Sequence, residues 1–184
     1  MEQILKIKDF RKEESECSVH DNPRETVDIA YAAGIIDGEG AITIIKTQAK
    51  GRDKAAKYEP RLVVHMVDCE VPTFLRDLFG GQIYQRAQKQ ENWRSTTQWV
   101  LQKKDLLYSA LNQMLPYLKT KRLQAKVAIA FLEECSFYRR GRARVPVNEL
   151  LKREDFRQSM KKLNLRGVPA TTKRVGSREA EAIV

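Results

Sequence analysis

The chain has 184 residues, which is enough for one well-packed core with loose ends. Its 34 basic and 24 acidic side chains give a formal net charge of +10. An excess of this sign favours a polyanionic partner, although a well-hydrated surface alone would also account for it. The excess is uneven, because residues 139–184 hold 13 basic and 5 acidic side chains, whereas residues 1–28 hold 5 and 8.

Cysteine usage and hydropathy exclude several classes of protein. Cys17, Cys69 and Cys135 are odd in number and far apart, which argues for a reducing compartment and against a zinc site or a disulfide framework. No apolar run approaches the ~18 residues of a membrane span. The charge-mixed N-terminus resembles neither a signal peptide nor a transit peptide. We therefore expect an intracellular protein of the cytoplasm, nucleoid or an organelle matrix that is not secreted.

The first regular element is a helix from about Pro23 to about Asp37, ended by Gly38 and Gly40. It follows residues 1–21, whose polar, charge-mixed composition predicts a loosely docked arm. One face of the helix has small residues three and four positions apart, which would let a second helix approach closely. These residues are Ala30, Ala33 and Gly34.

The later elements alternate between strand pairs and helices. Period-two patterns predict strands at about 41–48, 59–67, 82–87 and 94–102. Helical patterns cover about 70–79, 104–115 (interrupted by Pro116), 121–138 and 147–163. The order is αββαββα(α), an α+β fold with a four-stranded antiparallel sheet and helices on one face. We divide the chain into the arm 1–21, a core 22–138 and a basic C-terminal helix and tail 139–184.

Two carboxylates stand at the end of the first helix. Asp37 and Glu39 are spaced by glycine and followed at once by the β-prone run from Ala41 to Ile45. Cutting a phosphodiester needs an activated water and charge stabilisation, which divalent cations held by carboxylates supply. The stretch occurs once, so a symmetric two-carboxylate site requires two chains. The alternative is that the glycines only end the helix and that Asp37 and Glu39 are ordinary surface residues of a turn.

The stretch Ala32-Ala33-Gly34-Ile35-Ile36-Asp37-Gly38-Glu39-Gly40 resembles the signature of the LAGLIDADG homing endonucleases. The resemblance spans roughly residues 28–138. It includes the segment from Leu115 to Lys121, which looks like the "LPxLxxK" segment of the family, and the helix-to-hairpin junction from Phe74 to Gly81. It implies the αββαββα fold with a saddle-shaped sheet, dimerising through the motif helix. The implied dimer interface consists of Ala30, Ala33, Gly34 and Asp37.

The resemblance also assigns the chemistry. Glu39, where the family most often has Asp, is the implied ligand of Mg²⁺ or another divalent cation such as Mn²⁺, together with Gly38. Asp37 mainly fixes the end of the helix. Lys121 falls beside the active-site water, where a cation would stabilise developing negative charge. Asp68 is the nearest match to a polar residue that contacts a water near the metal.

In this family the sheet lies along the DNA major groove, where outward side chains read base edges and phosphates. The alternative is that this is an ordinary solvent-exposed face of the sheet. An error of one residue in the predicted strand register would exchange the side chains assigned to the two faces. Trp99 and Leu101 are expected in the core. The predicted DNA contacts are Thr43, Ile45, Thr47, Glu59, Arg61, His65, Tyr84, Arg86, Arg94, Thr96 and Gln98, with Arg140 and Arg142 touching phosphates outside the central site.

The function that these observations favour is a homodimeric, sequence-specific, divalent-metal-dependent endonuclease that hydrolyses both strands of a long, near-palindromic DNA site. Two alternatives keep the fold without the cutting: a DNA-binding regulator and an RNA-splicing maturase. A third is an unrelated basic α+β binding module in which the signature is a coincidence.

Overall fold

The computed structural model describes residues 23–48, 56–86, 95–135 and 145–165. Within these ranges the elements follow the predicted order, including the helix predicted at about 147–163. No described helix is both long and apolar enough to cross a membrane. The elements are α1 Pro23–Glu39, β1 Gly40–Thr47, β2 Lys57–Met66, α2 Glu70–Phe79, β3 Gln82–Arg86, β4 Thr96–Leu101, α3 Lys104–Met114, α4 Arg122–Glu134 and α5 Val147–Leu163.

The four strands form one antiparallel sheet in the order β1-β2-β4-β3. Side chains alternate between its two faces, and the helices cover one of them. On the covered face Leu62, Trp99 and Leu101 are completely buried, so the predicted inward direction of Trp99 and Leu101 is confirmed. Helix residues such as Ile36 and Phe131 complete the hydrophobic core. The sequence therefore predicts the fold class correctly.

The junction between α1 and β1 differs from the predicted glycine stop. Helix α1 continues to Glu39, and β1 begins directly at Gly40. Among the described residues a positive φ occurs only at Gly80 and Gly81, so no left-handed glycine ends α1. Gly40 is required for space instead, because a Cβ atom there would lie 2.7 Å from the carbonyl oxygen of Ile36.

Helix α5 belongs to the same packed unit as the preceding elements. Met160 is 1% exposed within the core, and Phe156 packs edge-on against Phe131 with ring centroids 5.8 Å apart. At the end of the helix the Nδ2 of Asn164 donates a hydrogen bond of 2.9 Å to the carbonyl of Ile42 in the edge strand β1. The folded unit thus extends beyond the predicted core boundary at residue 138. The arm 1–21 lies outside the described residues.

A single carboxylate ties α5 to the first hairpin. Glu154 accepts hydrogen bonds from Lys46 Nζ at 2.8 Å and Tyr58 OH at 2.6 Å. Its other oxygen accepts hydrogen bonds from Arg157 at 2.8 Å and Gln158 at 2.5 Å. The hydrogen bond from Lys46, followed by that from Tyr58, lowers the pKa of Glu154 from 4.5 to about 2. The folded chain therefore stabilises the ionised carboxylate.

We predict that Glu154→Gln lowers the free energy of unfolding at pH 7 by about 1–3 kcal/mol, because charge-assisted hydrogen bonds are lost. The pKa of Glu154 is lower in the folded chain, so its stabilisation is complete above pH 4.5 and disappears as the pH falls toward 2. Urea unfolding at pH 7, 5 and 3 should show wild type and variant converging in acid. Asp155→Asn, at an exposed neighbour on α5, is the control. A difference that stays constant with pH would contradict this role.

Candidate functional site

The end of α1 is bound to the segment 119–121 by the Asp37 carboxylate. Its Oδ2 accepts the backbone N–H of Lys119 at 2.6 Å, and its Oδ1 accepts that of Lys121 at 2.9 Å. The hydroxyl of Thr120 donates to the same Oδ1 at 3.0 Å. Burial raises the pKa of Asp37, but these hydrogen bonds outweigh it and hold the pKa below 3.8. The carboxylate is thus occupied within its own chain.

Lys121, in turn, binds the segment 119–121 back to the end of α1 through its side chain. Its side chain is buried at 6% exposure, and its Nζ donates to the carbonyl oxygens of Ile36 at 2.8 Å and Asp37 at 2.5 Å. Carbonyls in the last turn of a helix lack intrahelical partners, and the helix dipole favours a cation there. Lys121 therefore lies at the same helix end as the predicted metal ligand, and it also caps that end.

Glu39 is the last residue of α1 and its carboxylate is exposed. In the described part of the chain it has no hydrogen-bond or ion-pair partner, in contrast to Asp37. Gly38 beside it is also exposed and can offer only its carbonyl oxygen. The helix end therefore separates two acidic residues by role: Asp37 holds the structure, and Glu39 is available to a ligand.

The donors at this helix end fit Mg²⁺, which prefers oxygen ligands and often takes one or two carboxylates together with phosphates and waters. Glu39 supplies a carboxylate and Gly38 a carbonyl. No group of three or more His, Cys, Asp or Glu residues that could hold a metal occurs among the described residues. Asp68 is exposed in the bend after β2, and its predicted contact with a water near the metal stays a prediction.

One face of α1 is open to solvent. Val27 is 65% exposed and Tyr31 55%, and Gly34 and Gly38, further along the same side, have nothing within 4 Å of a Cβ position. We call these four residues the α1 stripe. They lie four, three and four positions apart, which keeps them on one side of the helix.

The predicted dimer surface is rotated relative to this stripe. Ala30 is half-buried at the flank of the stripe, and Gly34 lies within it. Ala33 is 0% exposed and packs into its own core, so it does not lie on this stripe. Successive helix residues turn by about 100°, so Ala33 lies a quarter-turn from Gly34. The Asp37 carboxylate, also predicted at the interface, is bound to residues 119–121.

The predicted DNA-contacting residues that lie in the described part of the chain are all on the sheet face opposite the helices. Strand register joins them into one surface, since Thr43 pairs with Arg61 and Gln98 lies between His65 and Tyr84. We call this surface the outer face. The predicted contacts on it are Thr43, Ile45, Thr47, Glu59, Arg61, His65, Tyr84, Arg86, Thr96 and Gln98.

Two features of the outer face were not predicted. Gln98 is only 5% exposed, and burial, followed by the charges of Arg86 and Arg61, lowers the pKa of His65 below 6.5. The neutral form of His65 is therefore favoured, and Arg61 and Arg86 are charged groups beside it. The predicted contacts Arg94, Arg140 and Arg142 lie outside the described residues.

Residues 32–138 match the model of the LAGLIDADG endonuclease family, which is more than half of the chain. The protein belongs to the LAGLIDADG endonuclease family. By sequence alone, no curated protein matches the chain.

Solved structures of homing endonucleases share the fold at low sequence identity. I-CvuI, in complex with its target, has a TM-score of 0.62 and 17% identity, covering 77% of this chain and 85% of that one. The archaeal intron-encoded I-Vdi141I, complexed with DNA, has a TM-score of 0.59 and 17% identity, with coverages of 79% and 89%. I-TnaI has a TM-score of 0.50 and 15% identity, with coverages of 73% and 94%.

We predict that Asp37→Asn loosens the segment 119–121, because an amide cannot accept at both positions that now receive N–H groups. The free energy of unfolding should fall by about 1–3 kcal/mol. Hydrogen exchange at the amides of Lys119 and Lys121 should accelerate more than exchange in the sheet. Asp68→Asn, at an exposed carboxylate, is the control for both measurements. Unchanged exchange at Lys119 and Lys121 would show that Asp37 does not hold this segment.

Proposed function

We propose that the protein is a homodimeric, divalent-metal-dependent endonuclease that hydrolyses both strands of a long, near-palindromic DNA site. The observation that carries the proposal is the division of roles at the end of α1. Asp37 and Lys121 are bound to each other's segments, while Glu39 remains exposed at the last helix position. A family member with this arrangement has a helix end that is held in place and a carboxylate on it that is left free for a metal.

The outer face supports double-stranded DNA as the substrate. It combines arginines with hydroxyl and amide groups on neighbouring strands, which are the groups that contact phosphates and base edges. The major groove is wide enough for a two-stranded ribbon. The archaeal I-Vdi141I was solved complexed with DNA, and I-CvuI was solved in complex with its target. Basic residues after residue 138 would add affinity that does not depend on sequence.

The α1 stripe supports the homodimer. Val27 and Tyr31 are exposed apolar side chains, and the open space above Gly34 and Gly38 would admit a second helix closely. A twofold dimer places the same surface on both sides of the interface. Pairing two α1 helices there would bring two Glu39 carboxylates to the centre, one for each DNA strand.

Each residue of the site then has a defined task. Glu39 and the carbonyl of Gly38 would hold Mg²⁺ or another divalent cation such as Mn²⁺. A cation so bound supplies an activated water and stabilises charge on the phosphate. Lys121 adds positive charge at the same helix end, Asp37 fixes Lys121 in place, and Asp68 would orient a water. We place this activity in a reducing intracellular compartment, which the free thiols of Cys69 and Cys135 support.

We predict that Glu39→Gln reduces cleavage by about 100-fold or more while binding is retained, because only the metal-binding charge is removed. Sites can be selected from randomised duplexes with the Glu39→Gln protein and then offered to wild type with Mg²⁺. Binding and cutting need separate measurements, since I-CvuI on the I-CreI target with 2 mM Mg leaves the DNA uncleaved. Asp155→Asn is the control for a lost carboxylate. Continued cutting by Glu39→Gln would refute the assignment of the metal ligand.

We predict that Gly34→Gln separates the dimer into folded monomers. The side chain has free space in one chain but would occupy the space that a second α1 needs. Analytical ultracentrifugation should show at least a tenfold weaker self-association, about 1.4 kcal/mol, with an unchanged circular dichroism spectrum. Ser159→Gln adds a similar side chain at an exposed position of α5 and should leave the dimer intact. Equal association of both variants would rule out the α1 stripe as the interface.

A further inference from the structure

A cleft of about 330 Å³ opens in the outer face across β2, β4 and β3. Its base consists of Gln98 and Val100, which are 5% and 7% exposed. Arginines stand on either side, and Tyr84 is 47% exposed beside them. The lining residues are Arg61, Tyr84, Arg86, Gln98, Val100 and Gln102.

Arg86 is oriented by Gln98. The Nε of Arg86 donates a hydrogen bond of 2.9 Å to the Oε1 of Gln98, and the burial of Gln98 restricts the movement of that acceptor. This contact sets the plane of the guanidinium and uses its inner nitrogen. Among the described residues the two terminal nitrogens have no hydrogen-bond partner, so their N–H groups are available to an external ligand. Two parallel N–H donors in one plane form the geometry that binds two adjacent acceptors.

The surroundings of Arg86 favour a ligand that only accepts hydrogen bonds. Arg61 is the second cation of the cleft, and its buried Nε has no hydrogen-bond partner in the described ranges. The hydroxyl oxygen of Thr43, which is paired with Arg61 across the strands, is also buried and unpaired there. None of the lining residues is acidic. A ligand that accepts hydrogen bonds would therefore meet donors and no competing carboxylate in the cleft.

Among base pairs seen from the major groove, only guanine offers two adjacent acceptors, N7 and O6, without a donor between them. Adenine would place its N6 amino group against the guanidinium, and thymine and cytosine offer no such pair. The cleft opens on the outer face beside Arg86, so a base edge can approach this side chain directly.

We propose that the cleft reads guanine, with Arg86 contacting the base and Gln98 acting as the residue that positions Arg86. This inference rests on the proposed function, since it requires DNA on the outer face. In a twofold dimer the same cleft occurs twice. The target therefore contains guanine at one equivalent position of each half-site, on opposite strands. Gln98, predicted from its place on the strand to touch DNA, acts through Arg86 instead.

The test is a selection of bound duplexes from a randomised library by the full-length protein with Ca²⁺ present. Wild type should select guanine at one symmetric pair of positions. Arg86→Ala should lose about tenfold discrimination at that pair alone. Gln98→Leu, which keeps the size but not the acceptor, should weaken the same preference, and Gln98→Glu, which keeps an acceptor oxygen, should retain it. Melting temperatures identify variants whose fold is disturbed.

The outcomes separate this inference from the proposed function. If Arg86→Ala weakens binding to all sequences equally, Arg86 contacts phosphate and the guanine assignment is wrong. If Gln98→Leu leaves the preference intact, the positioning role is wrong. In either case the proposed function can still be tested independently. The test is whether the wild-type protein with Mg²⁺ cleaves the selected site. A protein that selects no duplex at all would overturn both proposals.

Discussion

The rest of the site depends on the reciprocal connection between the end of α1 and the segment 119–121. The Asp37 carboxylate accepts backbone N–H groups of that segment, and the ammonium of Lys121 donates to the carbonyls of Ile36 and Asp37. Each partner satisfies groups that would otherwise be unpaired at a helix end. Because the helix end is held in this way, Glu39 and the first residue of β1 have fixed positions.

Helix α1 has two sides with different environments, one packed against its own core and one open to solvent. Ile29, Ala33 and Ile36 face its own core, while the α1 stripe faces outward with its glycines uncovered. Small residues therefore serve different purposes at neighbouring positions. Ala33 allows close packing within the chain, Gly34 leaves space outside it, and Gly40 avoids a clash with Ile36 where the chain enters β1.

The outer face shows how buried polar groups can organise exposed ones. Arg86 is available to a ligand, but its direction comes from Gln98, which is almost fully buried. Burial and two neighbouring arginines lower the pKa of His65 and so favour its neutral form. Arg61 and Arg86 are the two cations that line the cleft in this surface. A similar principle operates at α5, where Glu154 connects the helix to the first hairpin through Lys46 and Tyr58.

The sequence by itself determined the order of helices and strands, the two faces of the sheet and the inward direction of Trp99 and Leu101, because these follow from local periodicity. Its motif also predicted the helix end as the centre of a candidate site. Only the tertiary structure decided how α1 is rotated, and this rotation buries Ala33. It also decided that Lys121 caps α1, since the acceptor carbonyls are 84 and 85 residues away in sequence. The orienting role of Gln98 likewise appears only in the folded chain. Periodicity specifies faces within an element, whereas contacts between distant segments depend on how the elements pack.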